Sequence, residues 1–335
     1  MPKKRNSLIL SALTAILVVS VLVSLTLGRY GIDLKSCLGI FASLAFDIEP
    51  FWTRAQANML LLVRLPRVLT AMLAGMALSL AGTSYQTVFR NPLAAPDILG
   101  ASTGAAFGAA LAILNGLDST GISLCAFASG LVCVALVMLI ARVCRGERAI
   151  TLVLAGIMTG SLFSAATSYL KLIADPNSTL PAITYWMMGS CAGVEAEELR
   201  RLILPLLLGG VPLLLLRWRM NLLTLEETEA RAMGVDTGRL RGAVILCATM
   251  LTAASVSVCG VIGWVGLVIP HLARRLVGSD CRVQLPASML LGGAFLLIVD
   301  DLARGLYTTE LPLGILTAFI GAPFFVWLMA KKRSG

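Results

Sequence analysis

The feature that most constrains this chain is a series of long runs without a charged residue. The first, Leu8–Gly28, is 21 residues long. A helix needs about 20 predominantly apolar residues to cross the hydrocarbon core of a bilayer. Only 13% of the 335 residues are charged, whereas soluble domains average about 25%. The sequence therefore predicts an all-α, polytopic integral membrane protein.

We expect about ten membrane-spanning helices, which together form a single transmembrane domain over residues 1–335. One uncharged run, Gly242–Ala273, has 32 residues and contains three glycines and a proline near its end, so it should turn and supply two spans. The other runs supply one span each and lie at 8–28, 68–89, 98–117, 119–141, 149–170, 202–216, 283–299 and 311–330.

The distribution of basic residues predicts the orientation of these spans. With both termini in the cytoplasm, the inner segments hold 18 of the 27 Lys and Arg residues and carry a net charge of +11, against −2 outside. Positive charge concentrates on the cytoplasmic side of membrane proteins. We therefore expect a multi-pass membrane protein with both termini in the cytoplasm. The basic residues sit in short gaps between apolar runs, which does not favour binding of nucleic acid.

The cysteines and the single histidine, His271, do not form a metal-binding pattern. Eight cysteines are scattered along the chain and no CxxC occurs, so no metal site or cofactor is expected. Five of the cysteines lie in stretches of apolar or small residues and are interpreted as small buried hydrophobic side chains: Cys125, Cys133, Cys191, Cys247 and Cys259.

Two connections between spans carry local signals. In the outer connection Lys171–Arg201, the uncharged stretch Tyr185–Gly189 is compatible with a short re-entrant helix or with an interfacial aromatic anchor. The inner segment, Arg217–Arg241, contains Thr224 and Glu227 at capping-box spacing. This spacing predicts a helix over Leu225–Met233.

In the same inner segment, Gly234 is suited to a left-handed helix stop and Asp236 to capping the next helix. The pattern indicates either two short helices that form a docking platform or an ordinary solvated loop.

Ionisable residues are nearly absent from the spans. This disfavours an ion-gradient-driven secondary transporter, which usually places such groups inside the membrane, and it leaves a membrane-embedded enzyme without a visible site. A channel or secondary transporter remains the alternative. The chain also lacks the GxxxxGK[ST] motif. If transport is uphill, ATP hydrolysis must therefore occur on a separate subunit.

Several motifs, in order along the chain, resemble the FecCD-type permeases, the membrane subunits of ABC importers for iron–siderophores, haem and cobalamin. They run from residue 64 to residue 314: Arg64-Leu65-Pro66-Arg67, Asn91-Pro92-Leu93-Ala94, Pro96-Asp97-Ile98-Leu99-Gly100, Leu154-Ala155-Gly156, Tyr185-Trp186-Met187-Met188-Gly189, Ala230-Arg231-Ala232-Met233-Gly234, Gly266-Leu267-Val268-Ile269-Pro270-His271 and Glu310-Leu311-Pro312-Leu313-Gly314. Trp264 departs from the family, which usually has Phe there.

The resemblance implies the fold of a type II ABC importer permease and its partners. These are two cytoplasmic ATPase subunits, a periplasmic substrate-binding protein and a second permease, in either a homodimer or a pair of different permeases, and the location implied is the bacterial inner membrane. The implied mechanism is alternating access driven by ATP, and the implied cargo is an iron chelate, haem or cobalamin, with oxyanions also carried on this scaffold. The chain itself would not be an enzyme.

The resemblance also assigns candidate residues to three sites. Three outer arginines would contact glutamates on the binding protein: Arg64, Arg67 and Arg304. On physical grounds, their side chains could instead extend along the membrane interface. Asn91 and Leu93 would form the cytoplasmic gate. Thr151 is a further gate candidate, although its position aligns less directly with the motifs of the family. ATPase coupling falls to helices at about 222–241, with contacts at Thr224, Glu227, Arg231 and Gly234.

Overall fold

The computed structural model describes residues 2–28, 30–144, 148–225, 227–306 and 310–331. Within these residues the chain is helical and contains no strand. The helices, in order, are α1 (Pro2–Thr26), α2 (Leu34–Ser43), α3 (Arg54–Asn58), α4 (Leu65–Val88), α5 (Ala101–Leu114), α6 (Ser119–Val143), α7 (Arg148–Ile173), α8 (Thr179–Met187), α9 (Ala196–Met220), α10 (Glu227–Ala232), α11 (Thr237–Cys259), α12 (Val265–Val277), α13 (Cys281–Gly305) and α14 (Leu313–Lys331).

Each of the ten predicted spans corresponds to one of these helices, which confirms the polytopic, all-α fold class. In the part of the chain that the structure describes, seven helical stretches are long and apolar enough to cross a membrane: Lys4–Thr26, Arg54–Val88, Ser119–Val143, Ala149–Ile173, Ala196–Thr224, Thr237–Cys259 and Cys281–Gly305. The helices of the other three predicted spans, α5, α12 and α14, are shorter.

The long run Gly242–Ala273 divides into two helices, as predicted. α11 ends at Cys259 and α12 begins at Val265. Gly260 and Trp264, at the two ends of the break, have positive φ values of 68° and 69°. A tryptophan in this conformation is unusual, because the left-handed region is unfavourable for residues with a Cβ. The turn at 260–264 is therefore held by its surroundings.

Two spans extend further than their uncharged cores. The core at 202–216 lies within α9, whose capping box at Glu195 and Glu198 begins the helix and whose end carries Arg217 and Arg219. The span at 68–89 begins earlier, since α3, a π-helical turn at Met59–Arg64 and α4 are continuous from Arg54. Charged residues at the ends of a span lie outside the hydrocarbon and were excluded from the runs.

α4 is the central helix of the bundle. It is buried along most of its length and packs against α9, α11, α12 and α13. Small residues permit the close approach: a Cβ on Gly82 would lie 1.9 Å from the carbonyl oxygen of Gly266 in α12. A Cβ on Gly75 would lie 2.3 Å from that of Gly292 in α13. Close packing through small residues is a common way for helices to associate in membranes.

The outer connection contains a short helix, α8, but it begins at Thr179 and ends at Met187, so it includes only the first three residues of the stretch Tyr185–Gly189. Four of the five cysteines interpreted as hydrophobic are buried, and Cys125 is partly exposed. No group of three metal-ligating side chains occurs among the described residues.

Candidate functional site

Functional residues predicted from the sequence lie at both ends of the bundle. Following the predicted orientation, we call the end with Arg64 and Arg304 the outer end. The end with Arg90 and the inner segment is the inner end.

Arg64 at the outer end is buried and fully engaged within the chain. It is 4% exposed, and its guanidinium donates to the carbonyl oxygens of Leu25 at 2.8 Å, Thr26 at 3.0 Å and Tyr30. These carbonyls belong to the end of α1 and the following loop, where the last turn of a helix leaves acceptors unsatisfied. Arg64 therefore joins the end of α1 to the start of α4.

Arg67 lies at the centre of a buried group of charges. Its guanidinium contacts Asp300 of α13 at 3.0 Å and Glu310, which precedes α14, at 2.9 Å. Asp300 is fully buried and Arg67 is 8% exposed. A buried ion pair is costly unless both charges are hydrogen-bonded. Here Asp300 accepts three hydrogen-bond contacts from the Nε and Nη2 of Arg67, and Glu310 accepts two from its Nη1.

Arg304 completes this outer ion cluster, which we define as Arg67, Arg304, Asp300, Asp301 and Glu310. It pairs with Asp301, and its Nε lies 3.4 Å from Asp300. It also donates to the Ser24 hydroxyl of α1 at 2.8 Å. With Arg64 included, three cations face three carboxylates, so the outer end presents little net positive charge here.

The three arginines assigned to docking are thus brought together, but each guanidinium already has partners in this chain. Docking to a partner's glutamates would require those partners to be exchanged. The role of Asp300 and Glu310 was missed from the sequence. The spacing of Asp300 and Arg304, one helical turn apart, was the available signal.

At the inner end, the predicted gate residue Asn91 shapes a tight loop after α4. Its Oδ1 accepts a hydrogen bond from the Leu93 backbone N–H at 2.9 Å, and its carbonyl accepts one from Ala94 at 3.1 Å. This is the local turn that asparagine side chains favour. The fold leaves Leu93 48% exposed at the tip. Thr151 lies in the first turn of α7 and is partly buried.

Arg90, immediately before this loop, connects it to the inner segment. Its φ is 49°, a left-handed conformation that costs a residue with a Cβ about 1–2 kcal/mol. Its Nε donates to the Leu223 carbonyl at 2.7 Å and its Nη2 to that of Leu225. Sequence reasoning used Arg90 only to predict orientation and missed this contact.

A second attachment holds the start of the inner segment. The Asn221 side-chain amide donates to Asp280 Oδ1 at 2.8 Å, and its Oδ1 accepts from the Cys281 backbone N–H at 2.8 Å. Asp280 also caps α13. Desolvation raises the pKa of Asp280, but hydrogen bonds from Arg282 and Asn221, with the charge of Arg282, outweigh it and lower the pKa below its usual value.

The inner segment itself contains a 3₁₀ turn at Asn221–Thr224 and then α10. Gly234 has a φ of 77°, and the Asp236 side chain caps α11, so both of these predictions are confirmed. Leu223 and Ala230 are fully buried, whereas Met233 is 64% exposed. Thus the segment is attached to the bundle on one side and presents an apolar side chain on the other.

The predicted capping box at Thr224 is wrong. The Thr224 hydroxyl donates to the Asn221 carbonyl at 2.6 Å and closes the 3₁₀ turn. α10 begins only at Glu227, because the chain completes this turn first. The preceding residue, Glu226, lies outside the described residues. Glu227 and Arg231 are placed in α10 by their backbone, and their side chains lie outside the described part of the chain.

Three comparisons with known proteins bear on these ends and the fold between them. The model of the FecCD transport family matches residues 16–331. The molybdate import system permease protein MolB of Haemophilus influenzae is 42% identical over 329 residues, covering 98% of this chain and 96% of that one. The cobalamin import system permease protein BtuC of Halobacterium salinarum is 40% identical over 272 residues, covering 81% and 73%.

A solved structure has the same fold. It is described as a metal-chelate type ABC transporter in an inward-facing conformation, with a TM-score of 0.87 and 41% identity, covering 96% of this chain and 99% of that chain.

The bundle of apolar helices is that of a multi-pass membrane protein, and the relatives that match it over most of its length are permeases. The chain belongs to the FecCD transport family. It is a multi-pass permease subunit of an ABC importer, a family whose members work with ATPase and substrate-binding partners in a dimeric arrangement.

Proposed function

We propose that this permease imports its cargo by alternating access, driven by two ATPase subunits that dock on the inner segment. The observation that carries the proposal is the asymmetry of that segment. Buried Leu223 and Ala230 anchor it, while Met233 and Gly234 are exposed. Met233 is therefore an apolar side chain that a docked partner could bury on a segment already attached to the bundle.

Two attachments give docking a route to the gate. Arg90 joins the inner segment to the loop of Asn91 and Leu93, and Asn221 joins it to the start of α13. A displacement of the inner segment by the ATPases would therefore move the gate loop directly. Thr151, at the inner end of α7, is assigned to the same gate by the resemblance. Glu227 and Arg231 are the further proposed ATPase contacts.

The proposed orientation places both termini in the cytoplasm and the outer end in the periplasm, where a substrate-binding protein would dock. Arg64, Arg67 and Arg304 are proposed to shape that docking face. Their internal partners fix the ends of α1, α4 and α13 relative to one another. A second copy of this chain would complete the pathway.

The cargo is proposed to be a metal chelate, haem, cobalamin or an oxyanion. The similarity to a permease named for molybdate, over 98% of this chain, supports including an oxyanion with the iron chelates and cobalamin that the motifs imply. Selectivity for the cargo would reside mainly in the binding protein. The cargo can therefore be tested separately by measuring the affinity of the binding protein for molybdate, ferric siderophore, haem and cobalamin.

The docking proposal is tested by copurification of the permease with its ATPase. Met233→Glu places a charge on the exposed apolar contact and should reduce recovery of the ATPase at least tenfold. Arg142→Ala, at an exposed inner-end position of α6, is the matched control and should retain it. Equal recovery from both variants would contradict docking at this surface.

A further inference from the structure

Two buried cysteines meet at the outer end, where the sequence indicated only small hydrophobic side chains. The sulfur atoms of Cys191, in the connection after α8, and Cys259, the last residue of α11, are 3.5 Å apart. Both side chains are at most 1% exposed. They are separated by 68 positions in the sequence, so the fold brings them together.

The two cysteines lie at a junction of three segments. The Ser190 backbone N–H donates to the Cys259 carbonyl at 2.7 Å, which joins the connection after α8 to α11. The Leu313 and Gly314 backbone N–H groups donate to the Gly189 and Met188 carbonyls at 2.8 and 3.0 Å, which joins the start of α14 to the same connection. The backbone around both sulfur atoms is therefore held in place.

We propose that Cys191 and Cys259 form a disulfide bond that fixes the α8–α11 junction. The inference rests on the proposed orientation, which puts this junction on the periplasmic side. The bacterial periplasm is an oxidising compartment in which disulfides form and persist. The same pair on the cytoplasmic side would stay reduced.

The bond forms by thiol–disulfide exchange with an oxidised periplasmic thiol oxidoreductase. One thiolate attacks the disulfide of the oxidoreductase, which gives a mixed disulfide and one free thiolate on the oxidoreductase. The second cysteine thiolate then attacks the sulfur of the first cysteine in the mixed disulfide and releases the other oxidoreductase sulfur as a thiolate. In total the two thiols lose two protons and two electrons, and the disulfide of the oxidoreductase becomes a dithiol. Attack requires a thiolate and access.

Before the junction packs, both cysteines are accessible and can ionise to thiolates. In the folded chain the hydrogen bond with Cys259 and burial raise the pKa of Cys191, and neither sulfur is accessible. Oxidation therefore belongs to the assembly of the protein. The finished bond is shielded from reductants in the same way.

The test uses the complete chain in membranes of the producing bacterium. Free thiols are blocked with a maleimide under denaturing conditions, and the chain is digested without reductant and analysed by mass spectrometry. We expect one peptide pair joined through Cys191 and Cys259, lighter by two hydrogen atoms than the separate peptides. Finding both residues alkylated would overturn the proposal.

A gel assay gives an independent measurement. With a polyethylene-glycol maleimide, wild type should gain two modified cysteines out of eight only after reduction. Cys191→Ala and Cys259→Ala should each lose this reductant dependence. Cys37→Ala removes a buried thiol in α2 and is the matched control that should retain it. Reductant dependence in the Cys191→Ala variant would assign the bond to another pair and overturn the proposal.

Orientation is tested in the same samples. Cys144 is exposed after α6 at the inner end, so a membrane-impermeant maleimide should label it in inverted vesicles and not in spheroplasts. Labelling in spheroplasts would overturn the orientation in the proposed function. If Cys144 stays unlabelled in spheroplasts while Cys191 is found alkylated by mass spectrometry, the orientation stands and the disulfide alone is overturned.

Discussion

Replacing Arg90 is expected to disconnect ATP hydrolysis from transport, because Arg90 joins the gate loop to the inner segment. A hydrogen bond from a charged donor contributes about 1.5–3 kcal/mol. We assign about 1.5 kcal/mol to the bond to Leu223, which is partly buried, and about 0.5 kcal/mol to the exposed bond to Leu225, where water competes. The total of about 2 kcal/mol corresponds to a roughly thirtyfold weaker attachment.

The assay is uptake into proteoliposomes that contain the assembled importer and its binding protein, with ATP hydrolysis measured in parallel. Arg90→Ala should reduce uptake per ATP about tenfold or more while hydrolysis continues. Arg142→Ala, which removes an exposed inner-end cation, should change neither quantity, since such surface changes usually shift stability by less than about 0.5 kcal/mol.

Arg90→Gly separates the attachment from protein stability. It also loses the side chain, but glycine adopts the left-handed conformation of residue 90 without the cost to a residue with a Cβ. The glycine variant should therefore be more stable than Arg90→Ala and equally defective in uptake. Uptake of Arg90→Ala within twofold of wild type would refute the attachment, as would full activity of the glycine variant.

Three further predictions follow from packing and charge. Arg67→Met removes the hydrogen bonds from Arg67 to buried Asp300 and leaves it only the Arg304 Nε at 3.4 Å. This should destabilise the protein by about 3 kcal/mol in thermal unfolding, and adding Asp300→Asn should restore part of it. Asp280→Asn should destabilise most at neutral pH. Because the pKa of Asp280 is lowered in the folded chain, its ionised carboxylate stabilises the fold at pH values above the pKa of an unfolded aspartate, about 3.9. The loss of stability in Asp280→Asn should therefore vanish as the pH falls below that value and through the lower pKa of the folded state. Gly82→Ala places a Cβ 1.9 Å from a carbonyl of α12 and should cost about 1–3 kcal/mol or more, whereas Gly263→Ala meets no atom within 4 Å and should match wild type in unfolding temperature.

The fold class could be predicted because the bilayer imposes a simple rule on sequence. Spans must be apolar and helical, so the uncharged runs located the ten helices that were predicted as spans, and the break at Gly260 followed from the length of one run. The ends of the helices could not be predicted in the same way. α9 continues through Arg217 because the charge there lies beyond the hydrocarbon.

The sites were predicted less completely, for a physical reason. The left-handed helix stop at Gly234 was predicted correctly, because it depends on local backbone geometry that short spacing reveals. Long-range pairing is not visible in local spacing. The contact of Arg67 with Asp300 spans 233 positions, and that of Arg90 with Leu223 spans 133. For the same reason Cys191 and Cys259 were interpreted as separate hydrophobic residues.

The source of energy for transport is the most direct test of the account. Proteoliposomes would hold the permease alone or with its ATPase, and both would receive the binding protein loaded with each candidate cargo. We predict uptake only when the ATPase and internal ATP are present, with no effect of a protonophore. Uptake by the permease alone, driven by an imposed ion gradient, would contradict the account.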